Sequence, residues 1–102
     1  MNKAVFLDRD GTINVDKKYL YRISDFDFIP GAKEALFSLQ KAGYLLVIIT
    51  NQSGVARGYY SETDVQRLND WLRQTLALEN ILISGIYYCP HHPEGSVAGY
   101  KI

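Results

Sequence analysis

The stretch KAVFLDRDGTIN, Lys3 to Asn14, decides how the rest of the chain is read. Its first half, Lys3-Ala4-Val5-Phe6-Leu7, is a short apolar run without polar alternation, the pattern of a parallel strand covered on both faces. Two acids one residue apart, Asp8 and Asp10, close that run just before Gly11. As turn residues they need no special account, because Asp is common where a strand gives way to a turn. As a pair they pose a charge problem. Neighbouring carboxylates repel, and become tolerable when a divalent cation sits between them or one of them holds a proton. Such a pair suits chemistry on phosphate.

Working outward, residues 15–29 mix charges with Tyr19, Tyr21, Phe26 and Phe28 and show no clean period, which predicts a long excursion with a small hairpin. Pro30-Gly31 then opens a helix with Ala32, Ala35, Leu36 and Leu39 on one side, stopped by Gly43. A second strand runs from Tyr44 to Ile49. Ser61 is a good N-cap for a second helix, in which Val65, Leu68, Leu72 and Leu76 recur at helical spacing and Trp71 joins the buried face. A third strand, Ile83 to Tyr88, is interrupted by Ser84-Gly85 and runs into Cys89-Pro90-His91-His92.

The order β-α-β-α-β predicts an α/β fold: a Rossmann-like parallel sheet with helices on both faces. Parallel strands share one carboxyl edge, and ligands of such open sheets bind just beyond it. The chemically distinctive residues fall there: Asp8-Arg9-Asp10, then Thr50-Asn51-Gln52-Ser53-Gly54, then Cys89-Pro90-His91.

Composition sets outer bounds. A chain of 102 residues predicts one domain, 1–102, with a modest core. Its 11 basic and 11 acidic side chains cancel, so no whole-molecule field recruits nucleic acid or an anionic membrane, while a local phosphate pocket stays open. The apolar run near the N-terminus is too short for a signal segment and none approaches membrane-spanning length, which predicts a cytoplasmic protein. A single cysteine forms no intrachain disulfide and leaves catalysis, metal binding or plain packing as its uses.

The chemistry expected at the rim follows from the residue types. A carboxylate can attack phosphorus to give an aspartyl phosphate, and Asp8 is the candidate nucleophile. Asp10, pointing to the same side in extended backbone, can protonate the departing alcohol and later accept a proton from water. Mg2+ held by Asp8 and Asp10 offsets charge and stabilises the transfer. The Thr50 hydroxyl and the amides that follow it can donate to phosphoryl oxygens; a β-branched residue closing a strand is the plainer reading.

These residues resemble a known family. FLDRDGTIN with IITNQSG is similar to the aspartate-nucleophile phosphatases of the haloacid dehalogenase superfamily. More narrowly, DRDGTIN, DFDFIPG, ITNQSGVARG and CPHHPEGS together resemble the heptose 1,7-bisphosphate phosphatase family, with the histidinol-phosphate phosphatases close by, over essentially the whole chain. The resemblance implies Asp8 as nucleophile and Mg2+ ligand, Asp10 as general acid/base and Mg2+ ligand through its backbone, and Thr50 as phosphoryl stabiliser. Asn51, Gln52 and Ser53 continue that site. It further implies a substrate pocket at Asp16, Lys17, Lys18 and Tyr19, with Arg57 a candidate for sugar or distal-phosphate contact; an ordinary solvated pair is the alternative for Lys17-Lys18. Cys89 and His91, with His92 a weaker third, are half of a structural Zn2+ site that the family completes with a Cys-x-Cys pair farther along; a packed Cys beside loop histidines is equally compatible.

The family's later lysine and further acids have no matching positions here, which predicts that these residues are a fragment or part of a larger chain, its sheet incomplete toward the C-terminus. An unpaired edge on the first strand then invites self-association. The implied activity is Mg2+-dependent removal of one phosphate from a sugar bisphosphate, heptose 1,7-bisphosphate first. Histidinol phosphate is the alternative substrate, and a noncatalytic remnant with a binding or assembly role is the alternative of another class.

Overall fold

The computed structural model describes residues 3–91. Three parallel strands, β1 (Lys3–Asp8), β2 (Tyr44–Asn51) and β3 (Ile83–Cys89), form a sheet in the order β1-β2-β3. Helix α1 (Ala32–Lys41) joins the first two strands and α2 (Glu62–Ala77) the last two.

In β2, Leu46, Ile48 and Thr50 are buried, while Leu45, Ile49 and Asn51 on the other side are exposed. Leu36 of α1 and Leu68, Leu72 and Leu76 of α2 pack with Leu46 and Ile48 in one cluster, so both helices cover the same face. The order of the strands explains this, because two right-handed crossovers that advance in one direction put both helices on one side. Each fully buried leucine of α2 contributes roughly 1.5–3 kcal/mol to holding that helix on the sheet. On the opposite face Phe6, Leu45, Ile49 and Tyr87 meet solvent, and no helix among the described residues covers them. The apolar run of β2 accordingly has the composition of a strand with two covers and, among these residues, one.

The interruption at Ser84-Gly85 is a bulge: Leu46 pairs with Ile83, but Val47 pairs with Gly85. The extra residue lets both Ile83 and Ile86 face the helices. Gly31 caps α1 at φ 86°, and Gly43, at φ 99°, turns the chain out of it. Helix α2 starts with a capping box. Ser61 N donates to Asp64 Oδ2 at 2.9 Å and Asp64 N to Ser61 Oγ at 3.2 Å. The Ser61 backbone N–H, seconded by its side chain, holds the Asp64 carboxyl below the ordinary carboxylate range.

The excursion after β1 is ordered by its own apolar residues. Ile13, Leu20 and Phe26 are buried, and Phe26 meets Trp71 of α2 edge to face with ring centroids 5.2 Å apart. The expected hairpin is reduced to one antiparallel bridge, Asn14 against Phe28, flanked by Val15 N to Asp27 O and Ile29 N to Ile13 O. A short 3-10 turn, Ile23–Asp25, rounds the far end. No described helix is long and apolar enough to cross a membrane.

Candidate active site

Parallel pairing brings the strand ends together: Asp8 lies beside Ile49, and Thr50 and Asn51 lie beside Tyr88 and Cys89. A cleft of about 400 Å³ opens over this edge, lined by Asp8, Asp10 and Thr50. Of the substrate candidates, Asp16, Lys18, Tyr19, Asn51, Gln52 and Ser53 also line it. Lys17 and Arg57 do not. Lys17 is turned onto the Asp27 carboxylate, an ion pair on the outer side of the excursion.

The two acids differ in what holds them. Asp8 is exposed and makes no hydrogen bond or ion pair among the described residues. Asp10 is gripped. Arg9 Nε and Nη2 reach its Oδ1 at 3.2 and 3.1 Å, Asn14 Nδ2 reaches Oδ1 at 2.8 Å, and Thr50 Oγ1 lies 3.5 Å from Oδ2. The turn after β1 makes this possible. With Gly11 at φ 85°, the Arg9 carbonyl accepts from the N–H groups of Thr12, Ile13 and Asn14, folding Asn14 back over Asp10.

Arg9 is the residue that sequence reasoning passed over. It is 1% exposed, and its Nη1 donates to Asn69 Oδ1 of α2 at 3.0 Å. A signal was present, since Arg9 continues the period-2 alternation of Val5 and Leu7 toward the helices. A buried guanidinium is tolerable only when its donors are satisfied, and Asp10 with Asn69 satisfies them. Asn14, Tyr60 and Asn69 were missed as well, and for those no local pattern marks the role.

Thr50 is 7% exposed and accepts from Gln52 Nε2 at 2.6 Å, while Gln52 Oε1 accepts from the Tyr60 hydroxyl at 2.6 Å. Burial pushes the Tyr60 phenol up to about 12. At the mouth of the cleft Lys18 and Tyr19 both adopt positive φ, 50° and 62°. Such backbone costs on the order of 1 kcal/mol per residue and gathers at functional sites. An Asx turn, Lys18 N to Asp16 Oδ1 at 3.0 Å, and the edge contact of Tyr19 with Tyr59 maintain it here.

Asp8, its carboxylate unengaged among the described residues and made of hard oxygen, fits Mg2+, which takes one or two carboxylates and completes its shell with water and phosphate oxygens. Zinc fares differently. Cys89 and His91 line a hollow beside Asp8 at the end of β3, but no group of three or more ligand-type residues gathers among the described residues, and His92 lies outside them. Two ligands fall short of a tetrahedral site.

The sheet order, the acidic turn after the first strand and the threonine ending the second define the haloacid dehalogenase class of fold, as the resemblance implied. No family model matches the chain. Within that class the relatives are specific. The chain is 55% identical over 95 residues to the D-glycero-beta-D-manno-heptose-1,7-bisphosphate 7-phosphatase of Haemophilus influenzae, covering 93% of this chain and 52% of that one. Among solved structures, a protein of Mesorhizobium loti described as HAD-like phosphatase superposes with a TM-score of 0.88 at 35% identity, over 98% of this chain and 47% of its own. The D,D-heptose 1,7-bisphosphate phosphatase of B. bronchiseptica, complexed with magnesium and phosphate, gives 0.82 at 32% identity, over 94% of this chain and 54% of its own. The chain thus spans about half the length of the curated relatives it matches.

Proposed function

We propose that the chain is the nucleophile-bearing part of a Mg2+-dependent phosphatase that takes one phosphate from a sugar bisphosphate, heptose 1,7-bisphosphate before others. The observation that supports this most is the contrast in one cleft between an uncompensated Asp8 and a braced Asp10, with the Thr50 hydroxyl facing them. An attacking carboxylate must be free of competing donors, whereas an acid that moves a proton at a fixed place must be held. The names of the relatives supply the substrate class.

In this reading an Asp8 carboxylate oxygen attacks phosphorus and the bond from phosphorus to the sugar oxygen breaks. Asp10 delivers a proton to that oxygen, so the sugar leaves as an alcohol. A water then attacks the aspartyl phosphate, Asp10 takes its proton, and the bond from phosphorus to Asp8 breaks to release inorganic phosphate. Thr50 Oγ1 donates to a phosphoryl oxygen through both steps. Asp8 and the Asp10 backbone would hold Mg2+, which would supply charge neutralisation between carboxylate and phosphate. Lys18, at the mouth, faces the second phosphate of the substrate, and Asp16 and Tyr19 contact the sugar.

The test is phosphate release from heptose 1,7-bisphosphate with and without Mg2+, beside histidinol phosphate as competitor. The expected result is release that needs the metal, favours the heptose ester and disappears in Asp8→Asn. Release unaffected by Asp8→Asn would remove the mechanism; faster turnover of histidinol phosphate would change the substrate. A folded protein with no release at all favours a noncatalytic role.

A further inference from the structure

Along the wall of the cleft a line of hydrogen bonds runs from the turn after β2 to the Thr50 hydroxyl, and its direction is carried by the Gln52 amide. It starts at Tyr60, whose hydroxyl oxygen lies close against the Gly54 backbone, 2.6 Å from where a Cβ there would stand. The Tyr60 hydroxyl donates to Gln52 Oε1, 2.6 Å away. With its carbonyl end engaged, the Gln52 amide presents Nε2 to Thr50 and donates to Oγ1 at 2.6 Å. A hydroxyl has one proton, so Thr50, accepting from Gln52, directs its hydrogen forward to the rim. There it meets Asp10 Oδ2 at 3.5 Å, the long limit of a hydrogen bond, and is available to a better acceptor.

We propose that Tyr60 and Gln52 are positioning residues that hold the Thr50 hydroxyl as an outward donor to a phosphoryl oxygen. The inference rests on the phosphatase reading and deepens it. Neither residue needs to touch the transferred group; both act through Thr50. Gln52 is 2% exposed, with both ends of its amide engaged inside the protein.

The packing keeps Tyr60 in place for this task. A Cβ at Gly54 would lie 2.2 Å from Tyr60 Cε2, so the ring rests directly on glycine backbone, and Tyr21 stacks on it with centroids 5.2 Å apart at 21°. Burial keeps the phenol protonated across the working range of an enzyme. Without that hydroxyl Gln52 Oε1 loses the donor that holds it. A turned amide offers Oε1 to Thr50 and draws the proton inward, away from phosphate.

The test is a cycle of four proteins: wild type, Tyr60→Phe, Thr50→Val and the double variant, with kcat and KM measured for phosphate release. Tyr60→Phe keeps the ring on Gly54 and is expected to lower kcat roughly 10-fold, as for loss of one buried hydrogen bond. Thr50→Val should lower it about 10²- to 10³-fold, the usual cost of a lost oxyanion donor. The double variant should be no slower than Thr50→Val, because the relay speaks only through that hydroxyl. An unchanged kcat in Tyr60→Phe overturns the proposal, as do penalties that multiply in the double variant. Should Tyr60→Phe fail to fold, Gln52→Leu takes its place in the same cycle. If wild type releases no phosphate, the phosphatase reading falls separately, and titration of the same proteins with inorganic phosphate decides. Weaker binding in Tyr60→Phe that vanishes in the Thr50→Val background upholds the relay; equal binding overturns it.

Discussion

Replacing Asn69 by Leu tests whether the buried Arg9 is held from both ends. Asn69 Oδ1 is the acceptor for Arg9 Nη1 at 3.0 Å, and both residues are buried, at 6% and 1% exposure. Leucine fills similar space, so cavity formation is a small part of the effect. What changes is that a charged donor loses its partner without regaining water, at a cost of about 2–3 kcal/mol. Asn69→Asp keeps an acceptor and should stay within about 1 kcal/mol of wild type. Urea unfolding followed through Trp71, the single tryptophan, reads both variants. With a slope of about 1–3 kcal/mol per M, the Leu variant should lose roughly 0.7–3 M in midpoint. Its kcat should fall as well, because the guanidinium released from Asn69 is the one that grips Asp10. A Leu variant as stable as wild type would show that Arg9 reaches water and that Asn69 braces nothing.

The remaining perturbations address other parts of the account. The Tyr60 phenol titrates near 10 when unfolded and at about 12 when folded. Between those values the folded protein keeps a proton that the unfolded one loses, so stability from this group is whole below pH 10 and declines by about 1.4 kcal/mol per pH unit above it. The stability gap between wild type and Tyr60→Phe should therefore narrow from pH 10 to 12, and parallel curves would contradict the burial of the phenol. Ser61→Ala removes the cap of α2 and should cost about 1 kcal/mol in the same unfolding assay, an unchanged midpoint counting against the capping box. Lys18→Ala should raise KM for the bisphosphate about 10-fold with little change in kcat, while Lys17→Ala, its amine being on Asp27, should leave both within about twofold. Equal effects of the two would place the cation subsite elsewhere.

Much of the frame is legible in the sequence because it rests on local signals. The apolar run ending at Leu7, the cap at Ser61 and the spacing of Val65, Leu68, Leu72 and Leu76 each predict an element from neighbours a few residues away. Parallel order then places Asp8 and Thr50 at one edge without further information. What escaped depends on contacts far apart in the chain. Arg9 meets Asn69 across sixty positions, and its burial follows from where α2 packs. Tyr60 reads as a loop aromatic until the turn after β2 folds it onto Gly54, where it joins Val55 and Val65 in a second small cluster. Lys17 and Lys18 look alike as a pair, yet the turn at Asp16 separates them, one to Asp27 and one to the cleft. Both helices lie on one face for a reason of strand order, which element types alone do not reveal.

The most direct test of the central claim is to quench the protein in acid during turnover with Mg2+ and map the covalent phosphoryl group by mass spectrometry. The account predicts one phosphoryl group on the peptide containing Asp8, absent in Asp8→Asn. Phosphate released with no covalent species, or with the label on another residue, would contradict it.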